Sequence, residues 1–121
     1  MSQTSNQRLG KQGEDMATEY LRRRGYTILD RNFKARYGEI DIIALDHNIL
    51  VFVEVKTRED ASFGTPEEAV TPRKLREVVR TTEYYKMLHP ELPDAMRVDV
   101  IGIQITGTKT TYFKHTQNVT G

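Results

Sequence analysis

The sequence predicts an α/β fold: a mixed β-sheet flanked by helices, in the order helix, three strands, helix, two strands. Three observations carry this. Residues 6–24 set Leu9, Gly13, Met16, Ala17, Tyr20 and Leu21 on one helical stripe. The stretch "GEIDIIALDHNILVFVEVK", residues 38–56, reads as two apolar strands around a tight turn. The third is a Thr-Pro helix start at 71–74, followed by a second amphipathic run and two more β-rich runs.

The elements follow in order. The first helix should stop at Gly25, with Arg22, Arg23 and Arg24 suited to its negative end. Gly10 and Gly13 are poor helix formers, so each should allow close approach of another element. "YTILDRNFKA" is the first strand, and the quoted stretch supplies the second and third. "TREDASFG" reads as a loop. "TPEE" at 65–68 has a Thr cap, Pro at the first helical position and Glu three residues after the cap, which predicts a helical turn. The second long helix opens at "TPRK", buries Leu75, Val78, Val79 and Thr82, and ends at "HPELPD". Of Tyr84 and Tyr85, one is expected in the core and one outside. "AMRVDVIGIQI" and "TTYFKHT" complete the sheet.

With 121 residues the chain is expected to form a single domain over 1–121, large enough to bury a core without staples. Cysteine is absent, which excludes disulfides, thiolate zinc sites and cysteine nucleophiles. The polar N-terminus lacks an apolar signal core, and the longest apolar run, "ILVFV", is too short for a bilayer. A cytoplasmic protein with no membrane partner is expected, so the "NVT" sequon at 118–120 is treated as chance. The net charge of +1 is uninformative, but its distribution is not: an acidic centre at 37–60 lies between more basic flanks. That is either ordinary surface variation or an acidic metal pocket beside a polyanion-binding surface. His47, His89 and His115 are scattered, and no Gly-rich phosphate loop follows a strand. Asp99, between Val98 and Val100, reads as structural, paired with Arg97 or a backbone donor.

The carboxylates of residues 38–56 need a reason. A hairpin turning at His47 and Asn48, with Asn48 tolerating a left-handed conformation, sets Leu45 opposite Leu50, Ile43 opposite Phe52, Asp41 opposite Glu54 and Glu39 opposite Lys56. The other face, with Ile40, Ile42, Ala44, Val51, Val53 and Val55, is wholly apolar. Asp41 and Glu54 side by side repel each other, by roughly 0.2–1 kcal/mol when exposed and more when buried. A divalent cation, the Lys56 ammonium or a raised pKa must compensate. An Asp and a Glu on adjacent strands make a hard-oxygen site suited to Mg²⁺ or Mn²⁺. Lys56 on the same face can hold a water or stabilise developing phosphate charge. The plainer alternative is a sheet edge with scattered charges, in which Glu39 and Lys56 simply pair.

Asp41, twelve intervening residues and then Glu54-Val55-Lys56 resemble the PD-(D/E)xK nuclease signature of many restriction enzymes and the archaeal Holliday-junction resolvases. The proline of that name is missing, since Ile40 precedes Asp41. Over most of its length the chain resembles more closely the YraN-like family of small uncharacterised bacterial proteins. "GEDMATEYLRRRGY", "GEIDIIA", "FVEVKTR", "FGTPEEAVTPRK" and "RVDVIGI" carry that resemblance. It implies a restriction-endonuclease-like core of helix, three strands, helix and strand. For activity it implies a metal-dependent endonuclease hydrolysing phosphodiester bonds in DNA, including branched DNA. Asp41 and Glu54 would be the main Mg²⁺ or Mn²⁺ ligands with the Val55 carbonyl, and Lys56 would position or activate the attacking water. Glu14 on the first helix would be a third carboxylate on the metal side, against the alternative of a solvated helix-flank residue. Glu39 would support the site or pair with Lys56. Lys74 would be a further site residue or a solvated helix-end lysine. Arg73, Arg76 and Arg80 could contact phosphate or be the helix's wet face. Resolvase-like enzymes make two cuts in a junction, which makes a homodimer an implied assembly. The alternative is a non-catalytic nucleic-acid- or protein-binding module on the same fold. A purely structural interaction protein is a third reading.

Overall fold

The computed structural model describes residues 4–62 and 64–121; Phe63, within the expected loop, and the first three residues lie outside them. The element order matches expectation: α1 (Ser5–Arg23), β1 (Thr27–Ala35), β2 (Gly38–Asp46), β3 (Ile49–Arg58), a 3-10 turn (Pro66–Ala69), α2 (Pro72–Leu88), β4 (Met96–Thr106) and β5 (Lys109–Thr116). The five strands form one mixed sheet in the order β1-β2-β3-β4-β5. All neighbours are antiparallel except β3 and β4, which run parallel because α2 carries the chain back across the sheet. The architecture is α/β, consistent with a restriction-endonuclease-like core.

Local chemistry sets the ends. Thr4 and Gln7 form a reciprocal capping box at α1. Thr71 accepts from the Lys74 N–H at α2, and Pro72 occupies the first helical position. Gly25, at φ 90°, takes the left-handed conformation that ends α1. In the β2–β3 turn it is His47, at φ 54°, that takes the left-handed position rather than Asn48.

The helices lie on opposite faces. Ala17 and Leu21 of α1 pack on Ile42, Ala44, Val51, Val53, Ile101 and Ile103. Val78 and Tyr85 of α2 pack on Ile40, Ile43, Leu50, Phe52 and Val98. Residues 50–53 are therefore buried on both faces, which is why β3 reads as a continuous apolar run rather than an alternating one. The α2 stripe is shifted from the expected one. Thr81 and Tyr85 are buried with Val78 and Thr82, while Val79 is half-buried. Tyr85 is the core tyrosine and Tyr84 the exposed one. Gly13 meets its expected role: a Cβ there would stand 2.1 Å from Thr57 Oγ1, so α1 can sit against β3 only with glycine. No helix among the described residues is long and apolar enough to cross a membrane.

Candidate active site

The β2–β3 register is the expected one where it exists, with Leu45 opposite Leu50 and Ile43 opposite Phe52. The ladder stops at Ile42–Val53, one pair short of Asp41 and Glu54. Beyond it the Asp41 Oδ2 accepts the Val55 N–H at 2.8 Å, so a side chain takes over where a strand carbonyl would have served. Alternation also fails at Asp41. Ile40 packs with the α2-side cluster, not with Ile42 as strict alternation requires. The expected Glu39–Lys56 ion pair is absent among the described residues. Once the strands part, Glu39 is left opposite Lys34 of β1 instead.

This parting creates the site. Asp41 and Glu54 are 6% and 8% exposed. Burial, followed by the adjacent Glu54 carboxyl, pushes the Asp41 carboxyl up to about 8, against the opposing pull of the Val55 N–H. Without a cation the pair therefore holds a proton at neutral pH. The Glu54 Oε2 is buried without a hydrogen-bond partner among the described residues, and an orphaned buried carboxylate oxygen needs an explanation. Lys74 supplies a partial one. Its Nζ stands 3.6 Å away, within ion-pair reach but beyond a hydrogen bond. Arg73 is not part of this group; its side chain is exposed and faces Glu77 at 3.7 Å.

Glu14 approaches from α1. Burial and the charge of Asp41 raise its pKa, opposed by Arg31 and Asn32. Arg31 lies 3.7 Å from Glu14 and 2.8 Å from Asp15. Among the described residues no three histidine, cysteine or carboxylate side chains stand close enough together to hold a metal ion. Lys56 is half-buried, forms no described ion pair, and borders a cavity of about 640 Å³ with Glu14, Gly10, Arg58 and Thr65.

Two neighbours of the site escape the sequence reading, Asn32 and Arg31. Asn32 has φ 53° in the middle of β1, a left-handed residue inside a strand. Its signal was present: asparagine is poor in strands and tolerant of that conformation. Arg31 carried none, because its partners lie on another element. Asp99, by contrast, fits its structural reading. It is fully buried and accepts from Arg97 Nε at 3.0 Å and the Asn118 N–H at 3.0 Å, with His115 Nε2 at 2.8 Å.

The donor set suits a hard cation. An orphaned oxygen on Glu54 and a proton held on Asp41 are both places a Mg²⁺ or Mn²⁺ would satisfy. With only two carboxylates adjacent, the remaining positions would fall to a backbone carbonyl, water and a ligand's oxygens, as Mg²⁺ commonly prefers.

Known proteins place the chain in a family. The model of the uncharacterised protein family UPF0102 matches residues 13–103, which include "GEIDIIA", "FVEVKTR" and "RVDVIGI". A UPF0102 protein of Persephonella marina is 45% identical over 94 residues, covering 78% of this chain and 81% of the relative. One from Syntrophomonas wolfei is 44% identical over 104 residues, covering 86% and 90%. One from Geobacter sulfurreducens is 44% identical over 113 residues, covering 93% and 88%. A match of this extent answers the family resemblance expected from the motifs: the chain belongs to the uncharacterised protein family UPF0102.

Proposed function

We propose that the protein is a metal-dependent nuclease that hydrolyses phosphodiester bonds in DNA, with Asp41, Glu54 and Lys56 carrying the chemistry. One observation carries the reading: two carboxylates buried side by side, Asp41 with its pKa raised by burial and by Glu54, and Glu54 with an oxygen left unpartnered among the described residues. A fold has no reason to keep that pair unless it is used, because apolar residues of similar size would be more stable there. Asp41 and Glu54 would hold Mg²⁺ or Mn²⁺ with the Val55 carbonyl, while Glu14 on α1 would face the ion without being a direct ligand. The metal, when bound, supplies Lewis-acid polarisation of a phosphoryl oxygen and lowers the pKa of water.

The chain's own residues do the rest. The Val55 N–H, held by Asp41 Oδ2 at 2.8 Å, fixes the Asp41 rotamer beside Glu54. Lys56, without an ion-pair partner among the described residues and on the cavity wall, would orient the attacking water or stabilise charge that develops on the phosphate. Lys74, with its Nζ 3.6 Å from the Glu54 Oε2, anchors that side chain from α2.

The test is incubation with Mg²⁺ or Mn²⁺ and linear, flapped and four-way-junction DNA, with Glu54→Gln and Lys56→Ala as controls. Metal-dependent cleavage that falls at least a hundredfold in both controls is the expected result. Cleavage that persists in Glu54→Gln rejects the assigned site. The second reading, a DNA-binding module without catalysis, draws on Lys74, whose ammonium already offsets part of the Glu54 charge. It predicts DNA binding with no cleavage of any substrate.

A further inference from the structure

We propose that a nucleic-acid strand crosses α1 at Gly10, with its sugar-phosphate backbone lying directly on the helix and Lys34 binding a phosphate beyond it. The proposal rests on the nuclease reading above and extends it to the path of the substrate.

Gly10 is unexplained by the fold. Glycine inside a helix is costly relative to alanine, and α1 runs uninterrupted from Ser5 to Arg23. Gly13 earns its place by contact with Thr57, but among the described residues a Cβ built at Gly10 meets no heavy atom within 4 Å. It also needs no left-handed backbone, since its neighbours are helical on both sides. Among the described residues, neither packing nor backbone conformation demands a glycine here. The remaining physical use is close approach by something outside the chain.

What lies around Gly10 says what that is. Gly10 and Glu14 border two cavities at once, one on each side of the helix. The first, about 640 Å³, includes Lys56 and Arg58. The second, about 670 Å³, includes Lys11, Arg31, Asn32 and Lys34. Gly10 thus lies where two cavities meet, one of them bordered by Val55 and Lys56, the residues that follow Glu54. Lys56, Arg58 and Lys34 form no described ion pair, although Lys34 stands across the ladder from Glu39. Lys11 and Arg31 are tied to Asp15. Glu59 and Asp60 also border the first cavity and repel phosphate from their part of it, which leaves Lys56 and Arg58 to attract it. Unpaired cations at both ends of a groove, with a bare helix backbone between them, fit a polyanionic chain. The left-handed Asn32 sits in the second cavity next to Glu14, an outlier of the sort that accompanies ligand contact.

The experiment compares Gly10→Ala and Lys34→Ala in the Glu54→Gln background. Binding of single-stranded and flapped DNA is followed by fluorescence anisotropy over a range of salt, with thermal melts of each protein. Gly10→Ala should raise Tm by about 3–6 °C through helix propensity while weakening DNA binding at least tenfold. Lys34→Ala should weaken binding and reduce the log–log salt slope by about one. If Gly10→Ala binds DNA as tightly as its parent, or melts lower than it, the proposal is wrong and Gly10 is neutral or structural. Wild-type cleavage, measured alongside, separates the cases. Cleavage with unimpaired Gly10→Ala binding overturns only the groove, whereas wild-type protein that neither binds nor cuts DNA overturns both.

Discussion

Asp41 is where a single side chain decides most. Its carboxyl is held up to about 8 by burial and by Glu54, well above the ordinary carboxylate value. The native state therefore keeps a proton that the unfolded chain releases near pH 4, so stability falls as pH rises from about 4 to 8. Asp41→Asn keeps an acceptor for the Val55 N–H and removes the titration. Melted without metal at pH 5 and pH 8, it should lose less Tm between the two than the wild type does; an equal loss would mean that Asp41 is not the titrating group. A cation at the same place must displace that proton, so metal binding should tighten with pH. Mg²⁺ or Mn²⁺ at ten times its Kd should stabilise the wild type by about 1.4 kcal/mol. The gain should be larger at pH 8 than at pH 6 and absent in Glu54→Gln. No metal-dependent shift in Tm at either pH would remove the metal from the proposed site.

At the scale of elements, the site is made by where two strands part and by how closely a helix approaches them. Gly13 sets that approach. In Gly13→Ala the new Cβ would stand 2.1 Å from Thr57 Oγ1, forcing α1 away from β3 and with it Glu14 away from Asp41. Overpacking of this kind costs about 1–3 kcal/mol and outweighs the roughly 1 kcal/mol gained in helix propensity. Urea melts should show the net loss, and Thr57→Ala should restore part of it in the double variant. A stable Gly13→Ala with no coupling to Thr57 would show that the helix can shift freely. The same elements show what a sequence can disclose. The β2–β3 register is legible because a short turn and two apolar strands allow one pairing. The point where pairing ends is not, because it depends on an Asp41 side chain competing for the Val55 N–H. The adjacency of Asp41 and Glu54 is legible because their charges break an apolar pattern. Arg31 and the true partner of Glu39 are not, because both are fixed by β1, whose register carries a shift between Ile28 and Asp30. The family motifs "GEIDIIA" and "FVEVKTR" lie on either side of that same parting.

At the scale of the whole molecule, two buried acidic groups, Asp41 on β2 and Asp99 on β4, pull stability in opposite directions with pH. Asp99 anchors the network that ties β4 to β5, α1 and the end of β2. Arg97 bonds Asp99, the Asp46 carboxylate at 3.2 Å and the Tyr26 hydroxyl at 2.6 Å, and the Tyr20 hydroxyl meets His115 Nδ1 at 3.0 Å. Burial alone would raise the Asp99 pKa, but the bonds from His115, the Asn118 N–H and Arg97 outweigh it and hold the carboxyl below its ordinary range. Its contribution is therefore present above the unfolded pKa, near 4, and is lost as pH falls through the lower folded value. Asp99→Ala, which strands the Arg97 guanidinium, should cost about 3–5 kcal/mol in a denaturant melt. Asp41 acts with the reverse sign and over a higher range. Metal-free protein should then be most stable on the acid side of neutrality, where Asp99 is ionised and Asp41 still protonated. A cation that takes the place of the Asp41 proton removes only the alkaline loss. A map of Tm against pH should accordingly show its maximum move toward higher pH in Mg²⁺, with the acid limb unchanged. If both limbs move together, the cation acts on overall charge and not at Asp41; if neither moves, Asp41 and Glu54 do not hold it.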